Sequence, residues 1–266
     1  MRMPTIYLPH GGGPWPWVHV PVGSATELDA LKAYLVGVAN VPARRPTALL
    51  VISAHWEESV PTVMTSPHPP MLYDYYGFPP ESYTLTWPAP GAPELAKRVQ
   101  ALLAAAKLPS AVDAERGFDH GTFVPMKLAY PDPDLPVLQL SLVTGLDPAA
   151  HLALGRALAP LRDEGVFIIG SGMSYHNLRA FHPSAAPAAL AFDNWLREVV
   201  PREQAARDAA LVEWTKAPSA RAVHPREEHL IPLMVVAGAA GADRAQVAWE
   251  GTVNQLRLSA YHFGAA

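Results

Sequence analysis

The chain contains no cysteine, which excludes disulfides, thiolate zinc sites and iron–sulfur clusters. Charge is also scarce: 17% of the 266 residues are Asp, Glu, Lys or Arg, and the formal net charge is −4 without a long basic run. A nucleic-acid partner therefore has no electrostatic footing. No stretch of about 20 apolar residues occurs, so no membrane span is expected. The opening MRMPTIYLPHGGG lacks the apolar run of a secretory leader, and a cytoplasmic location is the resulting expectation. Repeats and low-complexity linkers are missing as well. What is abundant is apolar residues, 50% of the total, enough to bury a sizeable core and too many for a disordered chain.

Apolar runs of strand length lie at Thr5–Leu8, Ala48–Ser53, Val137–Leu142 and Val166–Gly170. They are nearly continuous rather than alternating, as in strands covered on both faces. Later strands are expected near Gln246–Val253 and Leu256–Ala260. Helical patterns separate them. Ser24 with Glu27 reads as a capping box ahead of LDALKAYLVGVA. Pro93–Lys107, Pro148–Asp163 (closed by Gly165), Ala188–Val200 and Glu227–Ala237 are further helices. Strands alternating with helices predict an α/β fold with a central, mostly parallel or mixed sheet flanked by helices. Two segments fit neither class. Pro67–Pro93 is dense in proline and aromatics, the composition of a pocket wall or lid, and Arg202–Arg226 is expected to be irregular.

Three of the apolar runs lead into a histidine: His10 after TIYLP, His55 after LLVISA and His176 just past FIIGSG. Ligands of open α/β sheets collect outside the carboxyl ends of the strands, so parallel, neighbouring strands would converge these three on one crevice. His120 sits in GFDHGTF, expected as a glycine-flanked turn, and His229 in HPREEHLIPL at a helix or turn entry. Histidine is both the commonest metal ligand and the usual acid/base group near neutral pH. His19, His68, His151, His182 and His262 lack such context and are assigned to structure or surface; His224 stays open. The glycines at 11–13 lack the spacing of a phosphate loop and instead let the backbone pass close to whatever His10 binds. Gly170-Ser171-Gly172 lacks the G-x-S-x-G of a nucleophile elbow. Asp119 and Glu228 adjoin candidate histidines, either as partners that orient them or as caps and solvated charges. Trp15, Trp17, Trp56, Tyr73, Tyr75, Tyr76 and Trp87 either line a pocket for a flat ring or pack in the core. No arginine is assigned to a substrate; Arg116, Arg221 and Arg226 lie near the motifs.

LPHGGGP, VISAHW, YDYYGFP with WPAPGAPELA, GFDHGTF, GSGMSYHN and HPREEHLIPL, in that order, resemble the class III extradiol ring-cleavage dioxygenases, and within them the DOPA 4,5-dioxygenase-like branch. The resemblance runs from about residue 4 to residue 258, so residues 1–266 are expected to form a single catalytic domain. It implies that His10, His55 and His229 are the metal ligands. In some members a glutamate occupies the third ligand position, which keeps Glu228 open as an alternative. It also implies that His176 is the acid/base histidine beside the metal, possible also as a ligand, and that His120 binds substrate or assists proton transfer. The implied cofactor is Fe(II), with Zn(II) compatible with the same imidazoles. The implied partners are a small catechol and O2, in a monomer or homodimer.

The chemistry accounts for such a site. Ground-state oxygen is a triplet and reacts slowly with a singlet catechol unless a redox metal mediates. The implied reaction inserts both oxygen atoms beside the hydroxyl pair and opens the ring to a semialdehyde. Two rivals use the same histidines. A zinc metallohydrolase would activate a metal-bound water and would need no oxygen. A non-enzymatic binding protein on the same scaffold would have no use for acid/base histidines at 120 and 176.

Overall fold

In the computed structural model, which describes residues 2–264, eight strands form one sheet: β1 (Thr5–Pro9), β2 (Ala48–Glu58), β3 (Thr62–Met64), β4 (Ala111–Asp113), β5 (Val137–Val143), β6 (Val166–Gly172), β7 (Ala245–Val253) and β8 (Leu256–Phe263). Their order across the sheet is β4-β3-β5-β2-β6-β1-β8-β7. The inner four, β5-β2-β6-β1, are mutually parallel, whereas β3 runs antiparallel to β5 and β8 antiparallel to β1 and β7. The sheet is therefore mixed around a parallel centre. Its central strands are buried along nearly their whole length, in keeping with their continuous apolar sequences.

Among the described residues, eight α-helices accompany the sheet: α1 (Ala25–Gly37), α2 (Pro93–Ala105), α3 (His120–Ala129), α4 (Pro148–Leu158), α5 (Ala186–Val199), α6 (Gln204–Val212), α7 (Ala220–Val223) and α8 (Ile231–Ala240). The capping box at Ser24 and Glu27 forms in both directions. All ten residues of α8 are buried, as its all-round apolar sequence requires. It packs unusually close because glycines face it. A Cβ on Gly155 of α4 would lie 2.0 Å from the Val235 carbonyl oxygen, and one on Gly170 of β6 2.6 Å from that of Pro232. The same crowding recurs at Gly172, whose Cβ would lie 2.1 Å from the His229 carbonyl oxygen. These contacts pin the turn before α8 against the carboxyl end of β6. Among the described residues, no helix is long and apolar enough to cross a membrane.

Three sequence expectations are corrected. Arg202–Arg226 is not irregular: it holds α6, whose first amides at Ala205 and Ala206 are capped by Glu203, and the short α7. The Pro148–Asp163 helix stops at Leu158 and tightens into a 3₁₀ turn, Ala159–Arg162, where Pro160 supplies no amide to an α-helical ladder. The last predicted helix starts at Ile231 rather than Glu227. Pro67–Pro93 does lack α-helix and named strands up to Pro93, where α2 begins, apart from a 3₁₀ turn at Pro80–Thr84 and isolated bridges at Met71 and Gly91.

Candidate active site

Strands β2, β6 and β1 are adjacent and parallel, so the histidines that follow or end them emerge on one edge. His10 directly follows β1, and its amide donates to the Gly172 carbonyl. The chain then turns through Gly11 at φ +85°, where a Cβ would lie 2.7 Å from the Trp15 ring; glycine is required by backbone and space together. His55 lies within β2, in the stretch between Ile52 and Glu57 where the register with β5 shifts. Such a bulge re-aims side chains at a sheet edge. His176 lies in the loop after β6, its amide bonded to the Val223 carbonyl. His229 is held in the turn before α8: its carbonyl accepts from Tyr7 Oη at 2.7 Å and from the Met173 amide at 3.0 Å.

His120 is not in a turn, as the sequence suggested, but is the first residue of α3. Asp119 caps that helix by accepting from the Thr122 amide. Gly121 lies within the helix, and glycine is needed there because a Cβ would lie 2.7 Å from Ser53 Oγ. Asp119 also accepts from Ser53 Oγ at 2.7 Å and from Arg116 at 2.8 Å. It therefore anchors α3 to β2 rather than contacting His120's ring.

All five rings line one cavity of about 860 Å³. The Nε2 atoms of His10 and His55 are 3.3 Å apart. Ring centroids are separated by 4.9 Å for His10–His55, 4.8 Å for His55–His229 and 5.2 Å for His10–His229, a nearly equilateral arrangement. His120 lies 4.0 Å from His55, and His10, His55 and His120 each bring a ring nitrogen within 4.8 Å of the others. His176 stacks on His229 with centroids 3.3 Å apart.

Two carboxylates set the ring orientations. Glu228 Oε1 faces His176 Nδ1 at 2.9 Å and His229 Nδ1 at 3.0 Å. Asp74 Oδ1 takes both the amide and Nδ1 of His120, at 2.9 and 2.8 Å, while Oδ2 lies 3.5 Å from His55 Nδ1. A proton held on Nδ1 by a carboxylate leaves the Nε2 lone pair for a metal or a substrate proton. Glu228 was singled out from the sequence; Asp74 was not. Its only sequence signal was its place inside YDYYGFP, where a carboxylate among aromatics and glycine reads as a loop residue.

Burial, followed by the neighbouring His55 for His10 and by His176 for His229, pushes the pKa of each well below the ordinary histidine value. Burial and then His120 do the same for His55, against the pull of Asp74. These three rings are thus neutral at pH 7, the form that binds metal. Burial opposes ionisation of Asp74 and Glu228, but hydrogen bonds from His120 and His176 respectively outweigh it and hold both carboxyls below their usual range. The residues fit a divalent metal on a further count: His229 Nε2 is buried with no hydrogen-bond partner, and an orphaned imidazole nitrogen is costly unless something ligates it.

Other candidates fall elsewhere. Trp15 and Tyr75 line the cavity, whereas Trp56 lies beneath Arg116, Trp87 bonds the Tyr130 carbonyl from the core, and Tyr76 is exposed. Tyr73 bonds the Leu85 carbonyl, and Trp17 lies under Lys127. Ser171 is fully buried and bonded to the Gly121 carbonyl, so it is no nucleophile. Buried His224 bonds the Ser174 carbonyl, His151 accepts from the Val143 amide, and His262 pairs with Tyr34.

A mixed α/β sheet with a histidine-and-carboxylate cluster beyond its parallel strands defines a metal-dependent enzyme scaffold. Residues 17–265 match the family model of the catalytic LigB subunit of aromatic ring-opening dioxygenase, and the chain belongs to that family, the class III extradiol dioxygenases. It is an extradiol ring-cleaving dioxygenase. Among its relatives, a 4,5-DOPA dioxygenase extradiol of Beta vulgaris is 44% identical, covering 97% of this chain and 96% of the relative. A dioxygenase of Hapsidospora irregularis is 39% identical over 92% of this chain and 80% of its own length. The crystal structure of an uncharacterised protein from Escherichia coli K12 superimposes with a TM-score of 0.78 at 31% identity, covering 99% of this chain and all of that one.

Proposed function

We propose that the chain opens the ring of a substituted catechol at a mononuclear Fe(II) held by His10, His55 and His229, with His176 and His120 as the acid/base pair. The observation that carries this is the near-equilateral placing of three neutral imidazoles, two buried (His10 and His229) and one half-buried (His55), with the Nε2 of His229 orphaned. When bound, Fe(II) supplies the redox path between catechol and oxygen, together with open positions for the two catechol hydroxyls and O2. Zinc fits the same donors but offers no such path.

His176 takes a proton from a catechol hydroxyl at Nε2, because Glu228 occupies its Nδ1. Glu228, kept ionised, stabilises the imidazolium that results. His120, primed alike by Asp74, takes the proton of the second hydroxyl at its own Nε2 and returns that proton as the bond beside the hydroxyl pair breaks. Assistance of this kind is worth about 10²–10⁴-fold. Trp15 and Tyr75, with the glycines at 11–13, form the walls around the histidines and limit water at the reacting ring. The Beta vulgaris relative is named for DOPA, and DOPA belongs in the first substrate panel.

The test is oxygen uptake by protein loaded anaerobically with Fe(II) or with Zn(II), against catechols including DOPA, with absorbance followed in parallel. Uptake matched by a yellow ring-opened product, with iron and not with zinc, is the expected result. Full iron occupancy without uptake for any catechol, or anaerobic turnover with zinc, overturns the proposal.

A further inference from the structure

Resting on that reading, we infer that the cavity selects a catechol bearing a bulky apolar substituent rather than a charged amino-acid side chain. The first observation is size. At about 860 Å³ the cavity lies near the top of the range of roughly 300–1,000 Å³ typical of drug-sized ligands, far more than a bare catechol fills.

The second is the chemistry of the rest of the lining. Val20, Val22, Leu28, Leu31, Phe181 and Val253 line it, and none offers a polar side-chain atom. Three chain segments bring them together, and hydrogen bonds tie these segments to each other. Asn254 Nδ2 donates to the Phe181 carbonyl at 2.7 Å, and the Gln255 amide donates to Glu27 Oε1 at 2.9 Å. The wall is therefore built before any ligand arrives, which lowers the ordering cost of binding.

The third is charge. Among the described residues lining the cavity, Arg226 is the one Lys or Arg, against three carboxylates in the same lining, Glu57, Asp74 and Glu228. It is already engaged: both of its terminal nitrogens pair with the two oxygens of Glu57, and Glu228 lies 3.5 Å away. A substrate carboxylate would have to displace Glu57 from a bidentate pair. A zwitterion does no better than exchange one ion pair for another, its ammonium taking the place of Arg226 at Glu57. An apolar substituent meets no such competition and gains roughly fourfold in binding for each buried methylene.

The experiment compares kcat/KM of the iron-loaded enzyme for catechol, 4-methylcatechol, 4-tert-butylcatechol, 4-phenylcatechol and DOPA, and repeats the series with Leu28→Asp and Arg226→Gln. The expected result is at least a tenfold preference for 4-tert-butyl- or 4-phenylcatechol over DOPA in the unmodified enzyme. Leu28→Asp is expected to shrink the ratio of 4-phenylcatechol to catechol at least tenfold. DOPA preferred tenfold over the apolar catechols, with that preference lost selectively in Arg226→Gln, overturns the inference in favour of an Arg226–Glu57 zwitterion clamp and leaves the dioxygenase reading standing. Failure of the dioxygenase reading looks different: no catechol in the panel would consume oxygen.

Discussion

Glu228 Oε1 lies 2.9 Å from His176 Nδ1 while its neighbour His229 offers its own Nδ1 to the same oxygen at 3.0 Å. One carboxylate oxygen thus orients two stacked imidazoles, one assigned to the metal and one to proton transfer. The pairing gives Glu228 two jobs that a substitution removes together. Glu228→Gln keeps the shape but loses the negative charge, and an amide nitrogen placed at Oε1 would repel Nδ1–H. Loss of a carboxylate behind a metal-bound histidine typically costs about 10–100-fold in metal affinity or activity. Iron titration of the variant is expected to show weakened affinity together with lowered kcat; a change in kcat alone would confine Glu228 to His176.

His176→Ala separates the two histidines. Turnover is expected to fall by about 10²–10⁴-fold, with iron affinity changed much less. Equal loss of both would make His176 a ligand. Single-turnover rates at full iron occupancy, set beside an iron-binding isotherm, provide the check.

Gly172 tests how the third proposed ligand is positioned. Its Cβ would lie 2.1 Å from the His229 carbonyl oxygen, the same oxygen that Tyr7 and Met173 bond. Gly172→Ala must push the turn before α8 off the sheet, at a cost of about 1–3 kcal/mol or more. Both a lowered Tm and weakened iron binding are expected. An alanine variant with unchanged iron affinity would show that the position of His229 is immaterial to the metal.

Much of this site was legible in the sequence because strand ends are. Continuous apolar runs marked β1, β2 and β6, and residues just beyond such runs must emerge at a sheet edge, which is where His10, His55 and His176 stand. The run over Ala48–Ser53 did not reveal that β2 continues through a bulge to Glu58, because a register shift depends on the partner strand. Asp74 escaped for a related reason: its role arises from Pro67–Pro93 folding back onto α3, a contact between residues 46 positions apart. Local pattern carries no information about such a pairing. His120 looked like a turn residue because glycine adjoins it, yet Gly121 serves helix packing against Ser53. The helices hidden in Arg202–Arg226 are short, and α6, capped by Glu203, buries Arg207 and Asp208 beside Leu211, charged residues that disguise its inward face.

Stability of the metal-free protein carries a pH signature. Burial lowers the pKa of His262 to about 4 and that of His224 to about 3, the latter helped by His176. Both stay neutral in the folded chain, while an unfolded histidine protonates near 6.5. The unfolded state therefore binds more protons as pH falls below about 6.5, and stability declines by about 1.4 kcal/mol per pH unit for each such histidine until its folded pKa is reached. Melting after chelator treatment is expected to show Tm dropping by several degrees between pH 7 and pH 5. A Tm flat across that interval would contradict the buried neutral state of these rings.

The most direct test of the central claim is the fate of the oxygen atoms. Iron-loaded enzyme is given its best catechol under ¹⁸O2, and the ring-opened product is trapped quickly and weighed by mass spectrometry. Two labelled atoms in one product molecule are expected of extradiol cleavage, less whatever the aldehyde exchanges with water. A product without label, or a catechol consumed with no ring opening, would contradict it.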